Sequence, residues 1–298
     1  MQVLDQYHGA GWALYCGDAA EVLAGLPEAS AHLAVFSPPF SDVYTYSASD
    51  RDLGNVRDAA EFFKHFGFVT RELRRVMVPG RVVAMHTYEI QLYGTSDGRR
   101  ARYDFPGDCI RHMETQGFDY MARITINKNP QTQAIRNHPQ ELLFATLRRD
   151  ASKSFPAQAD YLLLFRARGK NPIPIPAPIT EEEWIRDAAP VWLDIRETDI
   201  LPDAGSREND DERHLCPLQL PVIERCVRIW SNPGETVLDP FAGIGSTGYR
   251  AVQLDRRFVG IELKAAYARV AARFLRQAEA DGRQPDIFSY AAAQEAAS

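Results

Sequence analysis

Nothing in this sequence approaches the roughly 20 consecutive apolar residues of a membrane-spanning helix, so no span is expected. Cysteine is scarce: Cys16, Cys109, Cys216 and Cys226 are scattered without a CxxC pair, which argues against a zinc site and against a secreted disulfide framework. The thiols are read as reduced, and no metal is expected. The opening residues MQVLDQYHGAGW carry no secretory pattern, and the expected location is cytoplasmic. No internal repeat is present. An excess of positive charge is missing too: the net charge of −6 gives no overall pull toward nucleic acid, so any such contact must come from a local patch.

What is present is ordinary globular material. With 298 residues, 45% hydrophobic and 25% charged, the chain can bury one large core and carry an insertion. WALYC (12–16), a Gly17-Asp18 turn, a short helix ended near Pro27 and a second apolar run at 31–36 read as strand, helix, strand, which is the α/β signature. Phe62, Phe66, Val69, Leu73 and Val76 recur at spacings of four and three and mark one face of a helix. Pro79-Gly80 is expected to stop it before a strand at RVVAMHT. A helix over 109–115 and strands at 120–126 and 161–167 follow. From 171 to 212 NPIPIPAP and two acidic clusters suggest an irregular insertion, with Trp184 as its anchor. Regular alternation then returns: helix 218–230, strand 236–239, helix 246–254, strand 258–262 and helix 265–280.

In the stretch VLDPFAGIGSTGYRA a strand ends at Asp239 and a loop with Gly243 and Gly245 leads into a helix. Small residues there let backbone amides approach a ligand, and a helix N-terminus favours an anionic group. By itself such a loop is as readily a tight turn. Glu262, at the end of the next strand, is placed to take the two hydroxyls of a ribose, although a solvated acid is its ordinary alternative. The loop is read as GxG, which favours a nucleoside-bearing cofactor without a pyrophosphate over NAD.

DPFAGIGS with a following GIEL, together with SPPF at 37–40, resembles the amino-methylating DNA methyltransferases that use S-adenosylmethionine. The order, catalytic motif before cofactor loop, is that of their beta group. RDLGN, ADYLL and CPLQLPVIER are similar to segments of its phage and prophage members. The resemblance implies a Rossmann-like methyltransferase fold, with a mixed, mostly parallel seven-stranded sheet flanked by helices and interrupted by DNA-recognition segments. It implies cofactor contacts from Asp18, Asp239, Phe241, Ala242, Gly243, Gly245, Ser246, Thr247 and Glu262, and from His214 and Pro217 across the methionine moiety. Residues 1–128, 158–170 and 213–298 are then catalytic domain, 129–157 a basic DNA-facing insertion and 171–212 a variable segment.

The tetrapeptide SPPF answers a chemical need. An exocyclic base amine is a poor nucleophile because its lone pair is delocalised into the ring. It has to be held in line by acceptors that draw its hydrogens. The Ser37 hydroxyl and the Pro38 carbonyl are such acceptors, Pro39 stiffens the turn, and Phe40 offers a face on which an extruded base can stack. In the resembling group Ser in the first position accompanies cytosine more often than adenine, so the 4-amino group of cytosine is the favoured target and adenine N6 the alternative. A carbon-5 methylase does not fit, since Cys216 precedes Pro217 and no cysteine follows the early strand. A catalytically silent DNA-binding protein and a nicotinamide-dependent reductase stay open.

Duplex DNA is the expected partner. Residues 99–170 hold thirteen Lys or Arg against seven Asp or Glu, a local excess inside an acidic chain. Lys128, Gln131, Gln133, Arg136, Asn137, Arg148, Arg149 and Lys153 are the candidate contacts, with the ordinary alternative of a solvated basic face. Tyr44 and Tyr46 either close over the base or pack their loop. Dimers occur in the resembling group and restriction endonucleases accompany some of its members, but no interface and no companion is identified by the residues.

Overall fold

The computed structural model describes residues 3–39, 59–92, 101–137, 142–202 and 217–283. Nine strands form one sheet. They are β1 (Asp5–His8), β2 (Trp12–Cys16), β3 (Ala31–Phe36), β4 (Met77–Tyr88), β7 (Phe118–Ile126), β8 (Asp160–Ala167), β9 (Val191–Trp192), β10 (Thr236–Asp239) and β11 (Arg257–Glu262). Their order is β1-β2-β11-β10-β3-β4-β8-β7-β9, and β5 (Ile90–Leu92) with β6 (Ala101–Tyr103) makes a separate hairpin. The five strands from β2 to β4 are mutually parallel, whereas β8 runs antiparallel to both β4 and β7. Seven of these strands are those expected from the sequence; β1 and β9 add one short strand at each edge.

Central parallel strands are covered on both faces, and so they read as continuous apolar runs rather than alternating ones. AHLAVF is buried at every position but His32, and Val237, Leu238 and Asp239 of β10 are buried in succession. One face packs against α1 (Ala19–Ala24), α2 (Ala59–Val76) and α3 (Phe105–Thr115), through Val22, Leu23, Phe62, Phe66, Leu73, Cys109 and Met113. The other packs against α7 (Leu220–Trp230), α8 (Ser246–Gln253) and α9 (Ala265–Arg283), through Ile223, Val227, Ala251, Ala271 and Leu275.

The Pro79-Gly80 pair does not separate α2 from the next strand. The helix ends at Val76 and β4 begins at Met77, with Gly80 at φ +78 inside it. The pairing of β3 with β4 shifts there between Ala31 and Leu33, so the pair makes an irregularity within the strand.

The segment read as an irregular insertion is tied firmly to the sheet. It carries α6 (Glu181–Asp187), closed by a capping box at Thr180 and Glu183, and β9, which pairs parallel to β7. Its anchor is Trp192, 1% exposed, with Arg225 over its ring at 4.7 Å; Trp184, the expected anchor, is 51% exposed. Arg225 also pairs with Asp187 at 2.9 Å, binding this segment to α7.

Candidate active site

Strand order decides where the site lies. The chain leaves β3 through α2 to β4 on one side and leaves β10 through α8 to β11 on the other, so the adjacent β3 and β10 form the switch point of the sheet. Ligands of open α/β sheets bind beyond the carboxyl ends of strands at such a point. Ser37, Pro38 and Pro39 follow β3, and the DPFAGIGS loop follows β10. The two halves predicted from distant sequence are therefore neighbours. Thr247 Oγ1 lies 3.2 Å from the Val35 carbonyl, and the Phe36 and Phe241 rings are 5.9 Å apart.

In the glycine loop, the Glu262 carboxylate accepts from Gly243 N–H and from Lys264 N–H, each at 2.8 Å, so both oxygens are aimed before any ligand arrives. Gly245 sits at φ +89 as the N-cap of α8. The Ser246 hydroxyl, buried at that helix N-terminus, has no hydrogen-bond partner among the described residues. An orphaned hydroxyl beside the first-turn amides of a helix suits an anionic ligand group.

Gly243, Gly245 and Gly248 do keep the GxGxxG spacing, so the glycine count does not separate NAD from other cofactors. The carboxylate does. Glu262 occupies the Gly243 amide that a pyrophosphate would need and sets a negative charge beside it. Gly248 meets a packing demand, since a Cβ there would lie 2.4 Å from the Phe258 ring.

Asp18 and Glu262 end neighbouring strands, with Cys16 paired to Glu262 and Gly17 N–H donating to the Glu262 carbonyl at 3.0 Å. Asp18 also caps α1 by accepting from Glu21 N–H at 3.0 Å. Ala242 donates its N–H to the Ile261 carbonyl at 2.8 Å. The Phe241 ring is committed to the core beside Phe36 and Phe66. Pro217 leads into α7, whose Leu220 joins Leu201 and Ile244 of the cofactor loop in one apolar cluster. His214, Phe40, Tyr44 and Tyr46 lie outside the described residues.

Asp239 is 4% exposed. Burial lifts its carboxyl to about 7, against the opposing bonds from Phe241 N–H and the Thr247 hydroxyl and with some help from the Glu262 charge. The folded protein therefore holds a proton that the unfolded chain releases in the ordinary carboxylate range. Stability from this group is full below about pH 4 and is lost as pH rises toward 7, by at most about 1.4 kcal/mol per pH unit. Denaturant unfolding of the wild type across this range should show the fall, and Asp239→Asn should flatten it. Equal slopes for both proteins would refute the assignment.

The carboxyl ends of β3 and β4 and the start of β8 bring together a group that sequence reading did not anticipate. Ser37 Oγ is 3.0 Å from His86 Nδ1, and His86 Nε2 is 3.0 Å from Asp160 Oδ2. Lys128 Nζ stands 2.6 Å from the same carboxylate oxygen. Burial pushes the Asp160 carboxyl up, but the His86 and Lys128 charges and hydrogen bonds outweigh it and hold it below its ordinary value. The one available signal was positional: His86 lies near the end of the strand that follows SPPF, and Asp160 lies within ADYLL.

The basic segment leaves from this same end of the sheet, because β7 runs parallel to β4 and the 127–159 stretch joins β7 to β8. It forms α4 (Pro130–Asn137), α5 (Phe144–Arg149) and a 3-10 turn at Ala151–Lys153. Two expected DNA contacts are used internally instead. Lys128 is 11% exposed against Asp160, and the Gln133 amide makes two bonds with the Gln158 backbone, at 2.6 and 2.9 Å. Neither side chain is free to read a base. Gln131, Arg148, Arg149 and Lys153 are exposed, with Arg148 over the Phe144 ring at 4.7 Å and Lys153 3.3 Å from Asp150. Arg136 and Asn137 lie in α4, their side chains outside the described set. Phe144 and Leu147 are also exposed, which the polar reading of this stretch missed.

A switch-point crevice with a ribose acid on one side and a rigid hydroxyl-bearing turn on the other defines an α/β group-transfer enzyme of the methyltransferase type. The chain belongs to the N6_N4_Mtase family of DNA methylases, whose match spans residues 31–273. The type II methyltransferase M.Cfr9I of Citrobacter freundii is 23% identical over 95% of this chain and 92% of its own length. The DNA modification methylase TTHA0409 of Thermus thermophilus, solved in complex with S-adenosyl-L-methionine, superposes with a TM-score of 0.68 at 28% identity, covering 89% of this chain and 93% of that one. The PvuII DNA methyltransferase, described as cytosine-N4-specific, shares the fold with a TM-score of 0.64 at 19% identity over 92% and 90% of the two chains. Among the described residues no helix is long and apolar enough to cross a membrane.

Proposed function

We propose that this DNA methylase transfers methyl from S-adenosylmethionine to the 4-amino group of cytosine within a specific duplex site, with the target base turned out of the helix. The observation that carries the reading is the placement of Ser37 and of the Gly243–Glu262 loop at adjacent strand ends. Bound there, the cofactor would supply a sulfonium-activated methyl group. Glu262 and Asp18 would hold its nucleoside end, and Ser246 with the first turn of α8 its carboxylate. The Ser37 hydroxyl and the Pro38 carbonyl would accept the hydrogens of the amine, localising its lone pair toward the methyl carbon.

Ser37 supports cytosine through the family pattern, and duplex DNA would lie over the exposed Arg148, Arg149 and Lys153 at the same end of the sheet. A companion endonuclease is supported by the type II name of the Citrobacter relative. Incubation with labelled cofactor and mixed-sequence duplex DNA, followed by digestion to nucleosides and mass analysis, should yield N4-methylcytosine. N6-methyladenine would overturn the base assignment, and the absence of label would leave only DNA binding.

A further inference from the structure

We infer that His86 is a positioning residue, held by Asp160 and Lys128, that aims the Ser37 hydroxyl at the target amine and receives the proton the amine gives up. The inference rests on the proposed role of Ser37 as acceptor. The charged groups that meet His86 among the described residues are Asp160 of β8 and Lys128, just beyond β7.

The direction of each hydrogen follows from the chemistry of the partners. Asp160 is ionised, because Lys128 and His86 hold its carboxyl low despite burial, and an ionised carboxylate only accepts. Nε2 of a neutral His86 therefore carries the ring hydrogen and donates it to Asp160 Oδ2 across 3.0 Å. Nδ1 is left as an acceptor, and the hydrogen that reaches it across the 3.0 Å contact is that of the Ser37 hydroxyl. With its hydrogen turned inward, Ser37 Oγ presents lone pairs outward. A serine that donated outward would compete with the amine for its lone pair instead of drawing its hydrogens. Pro38, buried beside it, keeps the turn from relaxing.

The same chain disposes of the proton that transfer releases. As the nitrogen–methyl bond forms and the sulfur–methyl bond breaks, the positive charge passes from sulfur to the nitrogen, which must then lose one of its protons. That proton moves to Ser37 Oγ while the Ser37 proton moves to His86 Nδ1, giving an imidazolium whose Nε2–H remains on Asp160. The imidazolium returns its proton to solvent when product leaves, so the sum is an N-methyl amine, a thioether and one proton. Lys128 keeps Asp160 ionised throughout and limits how tightly the imidazolium is held.

The test combines a spectroscopic reading of the free protein with kinetics. Nitrogen chemical shifts of the His86 ring, assigned by their loss in His86→Gln, should report a single neutral tautomer with the hydrogen on Nε2. A hydrogen on Nδ1 would overturn the inference whether or not any variant folds. In single-turnover methyl transfer, His86→Gln should be slower by about 10- to 30-fold with unchanged cofactor affinity. The wild-type rate should rise with pH as the imidazole loses its proton, and that limb should vanish in the variant. A His86→Gln enzyme with the wild-type rate and pH profile would sink the relay and leave the role of Ser37 intact. A fully active Ser37→Ala enzyme would instead remove the underlying reading.

Discussion

Replacing Ser37 with alanine should slow single-turnover methyl transfer by about 10²- to 10³-fold, the usual cost of removing one preorganised hydrogen-bonding group at the reacting centre. Cofactor affinity should not change, because Ser37 Oγ pairs with His86 and the bonds that shape the glycine loop are made by Glu262, Asp239 and Ile261. The split between rate and affinity is what marks a group acting on the amine rather than on the donor. Removing the hydroxyl also leaves His86 Nδ1 without its partner, at a stability cost of about 1–2 kcal/mol. A thermal melt run beside the kinetics separates that loss from the catalytic one. Full activity in Ser37→Ala would contradict the assigned chemistry outright.

Replacing Glu262 with alanine should have the opposite signature: cofactor affinity weaker by about 10²- to 10³-fold, the equivalent of two charge-assisted hydrogen bonds to the ribose. The same substitution releases the Gly243 and Lys264 amides, which the carboxylate now fixes at 2.8 Å, so the loop also loses its aim. Titration calorimetry with S-adenosylmethionine and with adenosine distinguishes the two contributions. Affinity for both should fall by a similar factor if the carboxylate grips the nucleoside. Unchanged adenosine binding would place the ribose elsewhere. Glu262→Gln should lie between, since its single acceptor oxygen satisfies one amide and its NH2 group satisfies none.

Most of the scaffold could be read from local patterns. Continuous apolar runs such as AHLAVF and the four-and-three spacing from Phe62 to Val76 report burial through period alone, and both elements stand where they were expected. Short elements held by their neighbours could not be read that way. Two-residue β9 has no period to detect; it exists because Trp192 fills the core and β7 offers an edge. Polar residues misled in a different way. Lys128 and Gln133 look the same in sequence whether they face DNA or a buried carboxylate and a backbone edge, and the fold supplies the latter.

The sequence by itself determined the alternation of strands and helices, the turn that follows the early strand and the acid that ends the late one. These depend on residues close together in the chain, where backbone sterics and hydrophobic period act directly. Only the tertiary structure decided that Ser37, His86, Asp160 and Lys128 meet, and that Glu262 closes on the Gly243 amide. Those contacts join residues brought together by strand order, and strand order is set by how whole layers pack rather than by any local preference.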